Sequence, residues 1–155
     1  MAACVGVGLA LSAVAQEVDL AAEDKKNTDP FEEHSLAKAD KLFKEKQYRA
    51  AAAEYDSFVL EFPQSRVLPY ALFRKARSID LDNKRFDAIV KYKEVLDYFP
   101  NAIAYAAPAL YYMGVCYMQT GDPENAVKTW TEMVKDADYR KHALAASALN
   151  LLAEN

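Results

Sequence analysis

The side chains that could do chemistry are few. Cys4, Cys116, His34 and His142 supply every thiol and imidazole in the 155 residues. A nucleophilic thiolate needs a cationic neighbour to lower its pKa, and none stands beside Cys116 in the sequence. A metal site needs ligands at set spacing; neither histidine has a Cys or carboxylate cluster within reach. Glu32 and Glu33 offer two adjacent carboxylates, but acid–base work needs partners around a pocket. Next to a helix start they complement its dipole instead. There is no HExxH, no glycine-rich phosphate loop and no GxSxG elbow. The sequence therefore offers no catalytic residue, no metal site and no cofactor motif. Its densest group of capable types is ALYYMGVCYMQTGDPENAVKTW, residues 109–130, which holds Cys116 and the single tryptophan, Trp130. The spacing of those residues calls for another explanation.

Composition narrows the field. With 23 acidic and 19 basic residues the net charge is −4, and no basic stripe of the kind nucleic acid requires is present. Cys4 and Cys116 lie far apart in unlike settings, which argues against a disulfide framework. Apolar types make up 52% of the chain, enough for the core of one domain. From residue 16 onward the only glycines are Gly114 and Gly121, so the body is expected to be helices joined by short connections rather than turn-rich β structure.

Residues 1–15 form an apolar run ending in Ser12-Ala13-Val14-Ala15. This is the small-residue pattern of a signal-peptidase site, with cleavage expected before Gln16. The run is too short to span a bilayer. No Lys or Arg precedes it. Cys4 has apolar residues after it, where a lipid-modified terminus would turn polar. Residues 16–34 are polar and mixed in charge and are expected to be a linker, with His34 near a helix start.

The body, residues 35–155, is best understood by comparing it with itself. A small residue recurs at Ala39, Ala76 and Gly114, and another at Ala51, Ala88 and Ala126, each with steps of 37 and 38. Four residues after the second small residue comes an aromatic: Tyr55, Tyr92, Trp130. Pro63 and Pro100 close the first two units, and Asp138 takes that place in the third. Apolar residues within each unit fall at helical intervals. In TGDPEN, Gly121 suits the positive φ that ends a helix, while Asp122 and Pro123 suit the cap and first position of the next. Small residues let two helices approach, and rings fill the space beside them. Cys116, Met113, Gly114, Tyr117 and Trp130 are thus expected to be packing residues. One hairpin cannot bury its apolar face alone, so hairpins must stack.

The third unit, Leu-x2-Met-Gly-x2-Tyr followed by Ala-x3-Trp, resembles the tetratricopeptide repeat. The resemblance implies an all-α fold: a right-handed superhelix of about three helical hairpins plus a C-terminal helix. The lengthened links QSRVLPYA and NAIAYAAPA, with EFP and YFP helix ends, are similar to the subgroup of BamD-type outer-membrane-assembly lipoproteins and Tol-Pal cell-division coordinators. That implies a non-catalytic scaffold of the bacterial cell envelope, periplasmic or secreted, holding a protein or peptide partner. In this family certain positions of each first helix face a concave groove. Carried over, they are Leu36, Asp40, Phe43 and Lys44 in the first unit, Tyr70, Phe73, Arg77 and Leu81 in the second, and Tyr111, Val115, Met118 and Gln119 in the third. Apolar anchors would give affinity, with Arg77 meeting a carboxylate or carbonyl.

The C-terminal RKHALAASALNLLAEN is expected to be a helix docking through Leu144, Ala148 and Leu151, with His142 at its cationic, solvated start. Ala145, Leu149 and Leu152 then form an outer apolar strip, where a solenoid's end should be polar. That strip is an alternative contact for a partner, for homo-oligomerisation or for further repeats beyond this sequence. If residues 1–15 stay attached, a cytosolic scaffold is the variant to prefer.

Overall fold

A computed structural model describes residues 18–154; the leader assigned to 1–15, with Cys4, lies outside them. Among the described residues the chain forms eight α-helices and no strand. They are α1 (Ala22–Lys25), α2 (Pro30–Lys44), α3 (Tyr48–Glu61), α4 (Leu68–Leu81), α5 (Arg85–Tyr98), α6 (Ile103–Gln119), α7 (Pro123–Lys135) and α8 (Leu144–Ala153), with a 3-10 turn at Tyr139–Lys141 before the last. Helices α2/α3, α4/α5 and α6/α7 pair as hairpins, the hairpins join through α3 on α4 and α5 on α6, and α8 packs on α7 and α6. This is the stacked-hairpin solenoid expected from the repeat.

The first helix starts earlier than 35. Asp29 accepts hydrogen bonds from the Phe31 and Glu32 N–H groups at 2.8 and 2.9 Å, and Glu32 accepts one back from Asp29 N–H at 3.1 Å. That capping box, with Pro30 in the first turn, satisfies the orphan donors of α2. The segment expected as a linker therefore contains a capped helix start, and His34 stands exposed within α2. The stretched link NAIAYAAPA is likewise mostly helix. Helix α6 begins at Ile103 and runs through Pro108, whose missing N–H falls opposite Ala104, a solvent-facing residue.

All three hairpin turns use one backbone device. Lys46, Asn83 and Gly121 have φ of 60, 63 and 82°. Each donates its N–H three residues back, to Phe43, Asp80 and Met118. The following residue donates five back, to Leu42, Ile79 and Tyr117. These are Schellman caps. Only the third uses glycine, so the first two hold a side chain in a conformation that costs about 1–2 kcal/mol. Asp122 caps α7 by accepting from Asn125 N–H at 3.1 Å, with Pro123 at the first helical position.

The seam between paired helices is a ring against a small residue. Ala39, Ala51, Ala76, Ala88 and Ala126 are buried, as are Tyr55, Tyr92 and Trp130. A Cβ added to Gly114 would lie 2.3 Å from Trp130 Nε1, deep inside van der Waals contact. Each ring's polar tip is also satisfied. Tyr55 OH donates to Asp40, Tyr92 OH to Asp80 at 3.1 Å, and Trp130 Nε1 to the Tyr111 carbonyl at 3.1 Å. Burial of each such side chain contributes about 1.5–3 kcal/mol; an unsatisfied tip would cancel much of it.

The C-terminal helix docks by Leu144 and Ala148, both buried, with Leu151 half-buried. Its start corrects one expectation. His142 is half-buried, not solvated, and its Nδ1 accepts the Leu144 N–H at 3.2 Å. Burial holds its pKa below the ordinary histidine value.

Two outcomes are expected from these local structures. Lys46→Gly should raise unfolding stability by about 1 kcal/mol, and Asn83→Gly by less, because asparagine tolerates positive φ better; urea titration measures both. His142 favours its neutral form in the fold, so its contribution is fully present above about pH 6.5 and is lost as pH falls through the depressed folded value. The thermal midpoint should therefore drop faster between neutral and mildly acidic pH in the native chain than in His142→Asn, which keeps a cap without a titrating ring.

Candidate partner-binding face

Helix α4 sits between α3, α5 and α6, and that enclosure decides what its side chains can reach. Tyr70 and Phe73, expected in an open groove, are each 1% exposed, and Tyr111 on α6 is 2% exposed. These three expectations are corrected: the side chains fill seams. Tyr70 lies edge-on to Tyr55 at 6.4 Å and to Tyr105 at 5.7 Å. Phe73 lies between Tyr92 at 6.1 Å and Tyr112 at 6.3 Å. Tyr111 packs edge-on against Tyr112 at 5.2 Å. Leu36 and Phe43 of the first unit are buried in the same way.

Two buried polar clusters run through these seams. In the first, Asp40 of α2 accepts from Tyr55 OH and from Tyr70 OH at 2.7 Å. Arg74 Nε donates to Tyr70 OH at 3.1 Å and lies 3.9 Å from Asp40, with its guanidinium 4.0 Å above the Phe43 ring. The second is built within α4 and closed by α5 and α6. Arg77 Nη1 donates to Asp80 Oδ2 at 2.7 Å, Tyr92 OH donates to the same oxygen, and the guanidinium stacks 4.0 Å over Tyr112. Burial, reinforced by the Asp40 carboxylate, pushes the Tyr55 and Tyr70 phenols well above their ordinary range, so both stay protonated donors. Burial works against the Arg77 charge, yet Tyr92, Tyr112 and Asp80 outweigh it and its pKa stands above the ordinary arginine value. Arg77 is thus committed to Asp80 rather than held out for a ligand.

Cys116 is a core thiol, fully buried. Burial first, then the Asp80 carboxylate, pushes its pKa up; Arg77 and Arg85 pull it down by less. Such a thiol is a weak nucleophile. Among the described residues no three His, Cys, Asp or Glu side chains come together as metal ligands, and no helix is long and apolar enough to cross a membrane.

What stays open lies at the C-terminal ends of α4 and α6. Leu81, Val115 and Met118 are half-buried, and Gln119 is exposed, its Oε1 accepting from Arg85 Nε of α5. Lys44 is exposed at the matching end of α2. In the C-terminal strip Ala145 is buried, which corrects its expected exposure: α8 turns that side toward the core it docks on. Leu149 is 55% exposed and Leu152 is half-buried.

Sequence reasoning missed three residues. Arg74 and Asp80 were signalled by charges inside the otherwise apolar pattern LPYALFRKARSIDL, Arg74 one helical turn after Tyr70. Tyr105 carried less signal, a lone ring among alanines at the start of α6. Its hydroxyl accepts from Ala21 N–H at 3.0 Å and donates to Asp24 Oδ2 at 2.6 Å.

No curated protein matches the chain over its sequence. A family model described as tetratricopeptide repeat matches residues 70–102 and 108–137, which takes in most of the second and third hairpins. The first hairpin repeats their Schellman turn, small-residue column and satisfied ring tip. Residues 70–102 and 108–137 are similar to the tetratricopeptide repeat, and the described chain is assembled as stacked helical hairpins.

Proposed function

We propose that the chain is a non-catalytic protein-interaction scaffold that holds a partner segment against the C-terminal ends of α4 and α6. The observation that carries this is the set of side chains the seams leave over. Val115, Met118 and Gln119 share one face of α6; Val115 and Met118 pack on the edge of the core and stay partly accessible, Gln119 is exposed beside Arg85, and they mix apolar anchors with an amide. Tetratricopeptide repeats support the interaction role. The cellular setting proposed with it is the bacterial envelope, reached by export and associated with outer-membrane assembly or cell-division coordination. It is supported by the leader-like residues 1–15 and the lengthened repeat units. A second role, self-association, is favoured by one feature: Leu149 is 55% exposed on α8.

The test is affinity capture from an envelope extract with the native chain and with Val115→Asp/Met118→Asp. Polar replacement of apolar anchors should weaken retention of captured partners at least about tenfold. Equal retention by both proteins overturns the assignment. Sedimentation of the native chain beside Leu149→Lys/Leu152→Lys decides the second role: a dimer lost in the variant supports it, and a monomer throughout removes it.

A further inference from the structure

The segment before the first hairpin crosses the stack. Residue 21 and residue 24 both bond to Tyr105 in the third unit, while α2 of the first unit begins at Pro30. Residues 18–27 therefore run from the start of α6 back to the start of α2. The Tyr105 hydroxyl is used twice, as acceptor from a backbone N–H and as donor to a carboxylate. Val18, Leu20 and Ala21 pack against the core beside it, only partly buried. The four-residue helix α1 buries no side chain and is too short to be stable alone. A segment held by half-buried aliphatic contacts and one hydroxyl belongs to the least stable part of a fold.

We infer that residues 18–27 are an internal ligand, a strap over the N-terminal ends of the first helices of the hairpins. The Tyr105 face it covers takes an acidic segment of the same chemistry: aliphatic residues, a free backbone N–H, and a carboxylate three residues later. The pattern on the strap is Val18, Leu20, the Ala21 N–H, then Asp24. A tethered segment acts at an effective concentration on the order of millimolar. An external segment of equal intrinsic affinity therefore loses to the strap until the strap's own contacts are weakened. Where a partner brings this pattern, the strap sets the threshold for its binding. That last consequence rests on the scaffold assignment above; the strap's attachment does not.

Ala21 has φ −58° and ψ 139°, a backbone that proline adopts without strain. The pair Ala21→Pro/Asp24→Ala thus removes the donor and the carboxylate, changing only the strap with its short α1 and leaving the hairpin helices alone. The probe is a labelled peptide of residues 18–27 added to the full chain. It should bind the Ala21→Pro/Asp24→Ala chain at least about tenfold more tightly than the native chain, and Tyr105→Phe in that background should abolish the gain. Equal binding to the native and strap-weakened chains, or binding that ignores Tyr105→Phe, overturns the inference. A second measurement needs no peptide. The Ala21 amide should exchange with solvent at least about tenfold faster in Tyr105→Phe than in the native chain while α6 amides are unchanged, and equal Ala21 exchange overturns the inference as well. A released strap with no partner captured would remove the scaffold assignment alone, and partner capture without strap competition would remove only the strap.

Discussion

The structure depends on how closely two helices of a hairpin can approach, and that is set by one small residue facing one ring. In the third unit the pair is Gly114 and Trp130, so close that a single added methyl would overlap the indole. In the other units the corresponding columns hold Ala39 with Tyr55 and Ala76 with Tyr92, all fully buried. The larger ring goes with the smaller partner. Close packing at near-crystalline density leaves no slack for an extra carbon. The ring's polar tip adds a second condition, since a phenol or indole N–H buried without a partner would destabilise the seam it fills.

Satisfying those tips has consequences for function. Asp40 and Asp80 accept from the column tyrosines, and each brings an arginine into the interior, Arg74 beside the first and Arg77 on the second. Such buried pairs add little net stability over apolar packing but fix geometry, because breaking one leaves a charge stranded. The side chains best suited by type to grip a ligand, the arginines and tyrosines of α4, thereby become internal fasteners. In the function proposed here, recognition falls to the margins of the stack: the ends of α4 and α6 on one side, the Tyr105 face on the other.

This division explains what the sequence could and could not disclose. The repeat columns were legible because seam residues keep a fixed spacing, and the Gly121-Asp122-Pro123 turn because each residue has a specific backbone role. The positive φ at Lys46 and Asn83 was hidden, since neither residue type demands it; only the equal step to Gly121 marks the turn. The groove positions were read from repeat register, which gives a face of a helix but not how many neighbours cover it. Helix α4, ringed by three others, buries Tyr70 and Phe73 that the register would leave open. The contact between Tyr105 and residues 21 and 24 joins points more than eighty residues apart, and no local pattern encodes it. The helical run through Pro108 was obscured by a residue type that more often ends a helix than crosses its second turn.

The most direct test is a double-mutant cycle on Gly114→Ala and Trp130→Tyr, followed by chemical unfolding. Alone, Gly114→Ala should cost about 1–3 kcal/mol by overpacking. In the Trp130→Tyr background it should cost far less, because alanine with tyrosine is the combination already used in the other two units, giving a coupling of about 1–2 kcal/mol. Additive costs would mean that Gly114 and Trp130 do not meet in a shared seam, and the packing account of this chain would fail with them.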